Sequence, residues 1–234
     1  MNIPTAARVR ENYLSVKERV TEATKRSLRS EAEVSIVGVT KYFDATVAGW
    51  LYEAGCRDMG ESRPQMLWDK SAAMADREVR WHMIGHVQRN KVKRTLPLLQ
   101  TMHSLDSQRL LDQIVTDVGD RPEPLQLLLE VNISGEPDKT GILVADAELL
   151  LERWTKRSDP NNNLEIAGLM GMGSLSGGAD QARCEFESLR LLRERWSIRF
   201  GMPLQELSMG MSNDFEIAIE QGATMVRIGS VLFQ

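Results

Sequence analysis

Val34-Ser-Ile-Val-Gly-Val-Thr-Lys41 is the stretch on which the fold turns. Its aliphatic and β-branched residues fall on both parities, which suits a strand buried on both faces, as in a parallel sheet. The run ends on Lys41. The C-terminal end of a buried parallel strand is where α/β folds gather their chemistry. Partial desolvation there lowers an amine's pKa and makes it a nucleophile toward carbonyl carbon. Taken alone, Lys41 reads more simply as the strand's exit into solvent, so the weight falls on the rest of the chain.

Working outward, one pattern returns. Short apolar runs at 34–40, 56–59, 80–84, 101–105, 125–132, 164–169, 205–208 and 224–228 predict strands. The amphipathic segments between them, at 45–54, 62–75, 87–98, 107–118, 145–157, 180–199 and 212–221, predict helices. Strict alternation implies a parallel sheet with right-handed crossovers. Eight such units at this length predict an α/β fold, a single (β/α)8 TIM-type barrel. An open doubly wound sheet is the alternative, because the runs at 56–59 and 205–208 are short. Ahead of the first strand, residues 5–29 carry Val9, Tyr13, Val16 and Val20 at helical spacing, an extra N-terminal helix. No Gly- or Ser-rich linker divides residues 1–234, which read as one domain.

Composition narrows the function. A net charge of -4 and a pI near 5.6 argue against nucleic acid or an anionic membrane surface as partner. The basic stretch Arg89-Asn-Lys-Val-Lys-Arg94 reads as a solvated helix face. Cys56 and Cys184 form no CxxC pair, which points to neither a disulfide framework nor a zinc site. His82 and His86 are four apart, but Gly85 interrupts them, and no metal site is expected. With no signal-peptide core and no apolar run of transmembrane length, a cytoplasmic protein is expected.

In a barrel, residues just beyond the strand ends converge on one mouth. Those positions here are Lys41, Gly60-Glu61-Ser62, Gly85-His86, Asp106, Asn132-Ile-Ser134, Met170-Gly-Met172, Gly210-Met-Ser212 and Arg227-Ile-Gly-Ser230. The loops after strands seven and eight form the usual phosphate site of this fold. Ser212 reads as a helix N-cap there, and Gly229 with Ser230 as a close backbone approach with a hydroxyl. A phosphate site sharing a mouth with an amine suggests a phosphorylated aldehyde or ketone held as a Schiff base. A pyridoxal-phosphate protein and a sugar-phosphate aldolase both fit.

Several motifs run in order across nearly the whole chain: Val39-Thr-Lys41, Met59-Gly-Glu61, Trp81-His-Met-Ile-Gly-His-Val-Gln-Arg-Asn-Lys91, Val131-Asn-Ile-Ser134 with Lys139-Thr-Gly141, Gly168-Leu-Met170, Leu207-Ser-Met-Gly-Met-Ser212 and Val226-Arg-Ile-Gly-Ser230. Together they resemble the pyridoxal-phosphate homeostasis proteins (YggS/PROSC-type), whose fold is the single-barrel version of the alanine racemase N-terminal domain. The resemblance implies pyridoxal 5'-phosphate as cofactor and Lys41 as its Schiff-base lysine. It implies Ser212, Gly229 and Ser230 around the phosphate, Arg227 facing the pyridine nitrogen, and Asn132 and His82 near the mouth. Three departures stand out. Phe43 occupies a position where the family often has a second lysine. Ser62 replaces the Asn of the usual Gly-Glu-Asn, shortening or losing an amide contact. The chain stops at Gln234, so the closing helix is missing or supplied from the N-terminus.

An arginine at the ring nitrogen disfavours the pyridinium that amino-acid carbanion chemistry draws on. The reading favoured is therefore a monomeric protein that binds and buffers the cofactor, serving intracellular homeostasis, over a dedicated enzyme. Its partners would be pyridoxal phosphate, small amines or amino acids, and apo forms of pyridoxal-phosphate enzymes. The alternative is an amino-acid racemase or decarboxylase of the same fold.

Overall fold

The computed structural model describes residues 4–133, 140–157, 163–173 and 177–234. Eight parallel strands close a barrel in sequence order: β1 (Ser35–Val39), β2 (Asp58–Glu61), β3 (Arg80–Met83), β4 (Leu99–Leu105), β5 (Leu125–Glu130), β6 (Leu164–Met170), β7 (Glu206–Ser208) and β8 (Met225–Ile228). The closing seam pairs β8 with β1 through Ser35 with Met225, Val37 with Arg227 and Gly38 with Ile228. That seam rules out the open sheet. The two short runs are strands, of four and three residues. The first of them lies at 58–61 instead of 56–59, because Gly55 turns the chain at φ 108° and Cys56 spends its side chain on the Ile36 and Asp58 carbonyls.

Among the described residues, seven helices fill the crossovers: α2 (Ala45–Glu53), α3 (Pro64–Ala73), α4 (Arg89–Thr95), α5 (Gln108–Asp117), α6 (Val144–Thr155), α7 (Gly178–Phe200) and α8 (Phe215–Glu220). The N-terminal helix α1 (Ala6–Arg26) starts at the Thr5 side chain, which accepts the Arg8 N–H. Its buried face, Val9, Tyr13, Val16, Val20 and Ala23, packs against α2, α8 and the 3-10 turn Ser230–Phe233. Arg19 and Arg26 pair with Glu216 and Glu220 of α8, while Asn12 donates to the Leu232 and Gln234 carbonyls. This helix thus completes the outer ring between α8 and α2, the role the sequence left open.

The main core lies between the strands and the helices; a smaller cluster, Val37, Leu128, Ala167, Met170 and Met225, sits apart from it inside the barrel. Barrel interiors are usually packed with branched aliphatics. This one also encloses Asp58, His82, His103, Ser208 and Arg227, all buried. Among the described residues, no helix is long and apolar enough to cross a membrane.

Candidate functional site

The seam between β8 and β1 puts the first and last chemistry-bearing segments side by side. Lys41 stands in the turn directly after β1, exposed, with its ammonium 5.0 Å from the centre of the Tyr42 ring. Gly229 follows β8, and a side chain built there would meet Val39 of β1 at 3.4 Å. The backbone just before Lys41 is held from the helix side. Lys70 of α3 donates to the Thr40 carbonyl at 2.8 Å and pairs with Glu61, while the Thr40 hydroxyl donates to Glu61 at 2.6 Å. Both ionic partners are buried, at 2% and 0% exposure. Glu61 therefore serves as an anchor behind the mouth, and Lys70 is a residue the sequence reading missed. A lysine inside an otherwise amphipathic helix gives little sign that it is buried.

Ser212 is not the helix N-cap expected of it. The cap position belongs to Asp214, whose carboxylate reaches back to the Met211 N–H at 2.6 Å across a turn that delays α8 to Phe215. Freed from capping, the Ser212 hydroxyl accepts the Gly229 N–H at 3.2 Å and retains its own proton to donate. Gly210 makes this turn possible: its φ is 88°, and a Cβ would meet that of Ala218 at 2.5 Å. Gly229, by contrast, has ordinary space around it, so the fold does not demand a glycine there. Ser230 is exposed at the first position of the closing 3-10 turn, where backbone N–H groups lack intrahelical partners.

Arg227 is 5% exposed and points into the barrel. Its Nη1 donates to the Ser208 carbonyl at 2.9 Å and hydroxyl at 2.8 Å, and its Nη2 to the Gly171 carbonyl at 3.1 Å. Burial pulls the guanidinium down to about 10, against the opposing pull of Glu130 and Asp214, and it remains a cation at neutral pH. Burial also raises the Glu130 carboxyl, which accepts the Thr140 hydroxyl at 2.5 Å.

His82 lies deeper than the mouth position the resemblance implied. It is buried within β3, bonded to Asp58 at 3.0 Å and His103 at 2.9 Å, and reaches Arg227 only through His103 and Ser208. The sequence signal for His103 and Ser208 was a polar residue inside an apolar strand, on the inward parity. Asp58 also binds Arg80 through two bonds of 2.7 and 2.6 Å. Burial alone would raise its carboxyl; Arg80 and His82 more than offset that and hold it at about 2. The sign follows from the depressed value. The stability Asp58 contributes is complete above an unfolded carboxylate's value of about 3.9 and is lost as pH falls toward about 2. An acid titration of stability is expected to flatten over that window in Asp58→Asn.

Asn132 is buried just beyond β5, its backbone N–H bonded to the Ile142 carbonyl at 3.0 Å. Ser62 is half-buried after β2, its carbonyl pressed against Gly85. His86 meets Asp106 at 2.9 Å on the rim. Phe43, where the family's second lysine falls, stacks on Phe233 at 4.4 Å and is thereby an apolar seam contact. Ser134 and Lys139 lie outside the described residues. Burial pushes the Cys56 thiol up to about 12, which leaves it inert.

This barrel is that of a described class. The family model "Alanine racemase, N-terminal domain" matches residues 8–234. The pyridoxal phosphate homeostasis protein of Mycobacterium leprae is 36% identical over 233 residues, covering 93% of this chain and 89% of its own. That of Aquifex aeolicus is 35% identical, covering 95% and 96%. PipY of Synechococcus elongatus PCC7942, solved with PLP bound, superposes with a TM-score of 0.80 at 29% identity, over 94% of this chain and 100% of that one. The chain belongs to the alanine racemase N-terminal domain family and, within it, groups with the pyridoxal phosphate homeostasis proteins.

Proposed function

We propose that this chain binds pyridoxal 5'-phosphate at the barrel mouth as a reversible Schiff base on Lys41 and serves cofactor homeostasis and delivery, with no strong catalysis of its own. The observation that carries the reading is the β8–β1 seam, which brings the strand end bearing Lys41 against the Ser212–Gly229 pair. The cofactor supplies an aldehyde that condenses with a primary amine and releases water.

The residues present fit that group. Ser212 and Ser230 offer hydroxyls and Gly229 leaves room for a phosphate. Arg227 keeps donors toward the mouth and, as a permanent cation, disfavours a proton on the pyridine nitrogen. That charge supports holding and release over amino-acid turnover. Asn132 and Ser62 border the same opening, and His82 acts from beneath it. The protein is proposed to act as a monomer. Free amines or amino acids, and apo pyridoxal-phosphate enzymes, would then draw the cofactor off.

Borohydride reduction of protein mixed with pyridoxal phosphate tests this. One adduct is expected by mass, on Lys41, and none in Lys41→Ala; an equal adduct in that variant refutes the assignment. Ser212→Ala is expected to weaken retention of pyridoxal phosphate, but not of pyridoxal, by roughly tenfold, the worth of one charge-assisted hydrogen bond. Multiple-turnover solvent deuterium incorporation at an amino-acid Cα would favour the racemase reading instead.

A further inference from the structure

Five buried side chains cross the barrel interior in one connected line. Asp58 Oδ1 lies 3.0 Å from His82 Nε2, and His82 Nδ1 lies 2.9 Å from His103 Nε2. His103 Nδ1 then spans to the facing wall, 2.8 Å from Ser208 Oγ, which is 2.8 Å from Arg227 Nη1. The chemistry of the two ends is fixed: a guanidinium only donates and a carboxylate only accepts. Ser208 Oγ must therefore take the Arg227 N–H, and the partner left along the line for its single proton is His103 Nδ1. His103 then carries its proton on Nε2 and donates to His82 Nδ1, and His82 in turn donates from Nε2 to Asp58. The reverse order would bring two donors onto Ser208 and strand a buried hydroxyl proton, at a cost of about 1–3 kcal/mol.

We infer that Asp58, His82, His103 and Ser208 are positioning residues for Arg227, a one-way donor line that runs from guanidinium to carboxylate and fixes which arginine N–H groups face the mouth. Nη1 is committed to Ser208, and one Nη2 hydrogen to Gly171. The Nε–H and the second Nη2 hydrogen, with no partner among the described residues, are the donors left for a ligand's ring nitrogen. Burial, with the Arg227 charge acting in the same direction, holds His103 well below an imidazole's ordinary value, as a neutral link requires. At the far end Arg80 neutralises Asp58 beside a cavity of about 550 Å³ at the opposite barrel opening, lined also by Tyr13, Lys17 and Arg57. The direction of the line stands without any ligand; its role at the ring nitrogen rests on the pyridoxal-phosphate reading.

Two measurements separate these parts. Nitrogen-15 spectra of ligand-free protein, which has three histidines, are expected to show His82 and His103 both protonated on Nε2 and bare on Nδ1. A proton on His103 Nδ1 overturns the line. With pyridoxal phosphate added, Ser208→Ala is expected to lose about tenfold in retention and to shift the visible band, while Ser208→Thr, which keeps the hydroxyl, restores both. Folding of each variant is checked by circular dichroism. Wild-type behaviour in a folded Ser208→Ala overturns the positioning role. A wild type that takes up no pyridoxal phosphate overturns the cofactor reading and that role with it, while the nitrogen spectra still decide the direction.

Discussion

Lys70→Met is expected to lose roughly 3–5 kcal/mol of stability, the range for removing one partner of a buried ion pair. The lysine neutralises Glu61 where neither side chain meets solvent, and Glu61 Oε2 already has no hydrogen-bond partner among the described residues. Without Lys70 the carboxylate keeps only the Thr40 hydroxyl, and the Thr40 carbonyl keeps only the Phe43 N–H. The double variant Lys70→Met, Glu61→Leu should recover much of the loss, because no charge is then left buried. Recovery should stop short of wild type, since the Thr40 hydroxyl is left unmatched. Urea melts with an unchanged slope measure both. A double variant no better than the single would mean that packing, not charge, is what Lys70 supplies.

Gly168→Ala should be worse, leaving little or no folded protein. A Cβ at residue 168 would lie 1.8 Å from the Glu206 carbonyl oxygen and 2.6 Å from its carbon, both backbone atoms with no rotamer to escape into. Gly168 pairs with Glu206 at the start of β7, a strand of only three residues, so relief means losing part of that pairing. Ser208, two residues on, would move and take its bonds to Arg227 and His103 with it. Gly229→Ala is the natural control. Its nearest neighbour would stand at 3.4 Å, and a stability change within about 0.5 kcal/mol is expected, with cofactor retention impaired. A soluble, cooperatively melting Gly168→Ala would contradict this account of the β6–β7 contact.

The barrel was legible because its strands are read by alternation of segment type, which tolerates weak individual strands. Ends were less so: α8 begins three residues late because Asp214, not Ser212, satisfies the turn, and no propensity separates two good capping residues two apart. The mouth residues could be found by position alone, since a parallel barrel sends every strand end to one face. What lay behind the mouth could not. Lys70 and Glu61 are charged residues on polar-looking segments, and their burial is set by α3 packing on β2 beside the turn that follows β1. His103 and Ser208 meet across the barrel, from strands with no pairing to each other, a contact only the closed cylinder creates.

That closure has a consequence for synthesis on the ribosome. Lys41 emerges early, but the segment at 212–230 beside it follows much later, and α1 can meet α2 soon after synthesis but must wait for α8 and the Ser230–Phe233 turn to bury the rest of its face. A nascent or prematurely terminated chain would thus carry Lys41 without the Ser212–Gly229 pair near it. On the proposed function, capture of an aldehyde at residue 41 would wait for the segment at 212–230 to be made.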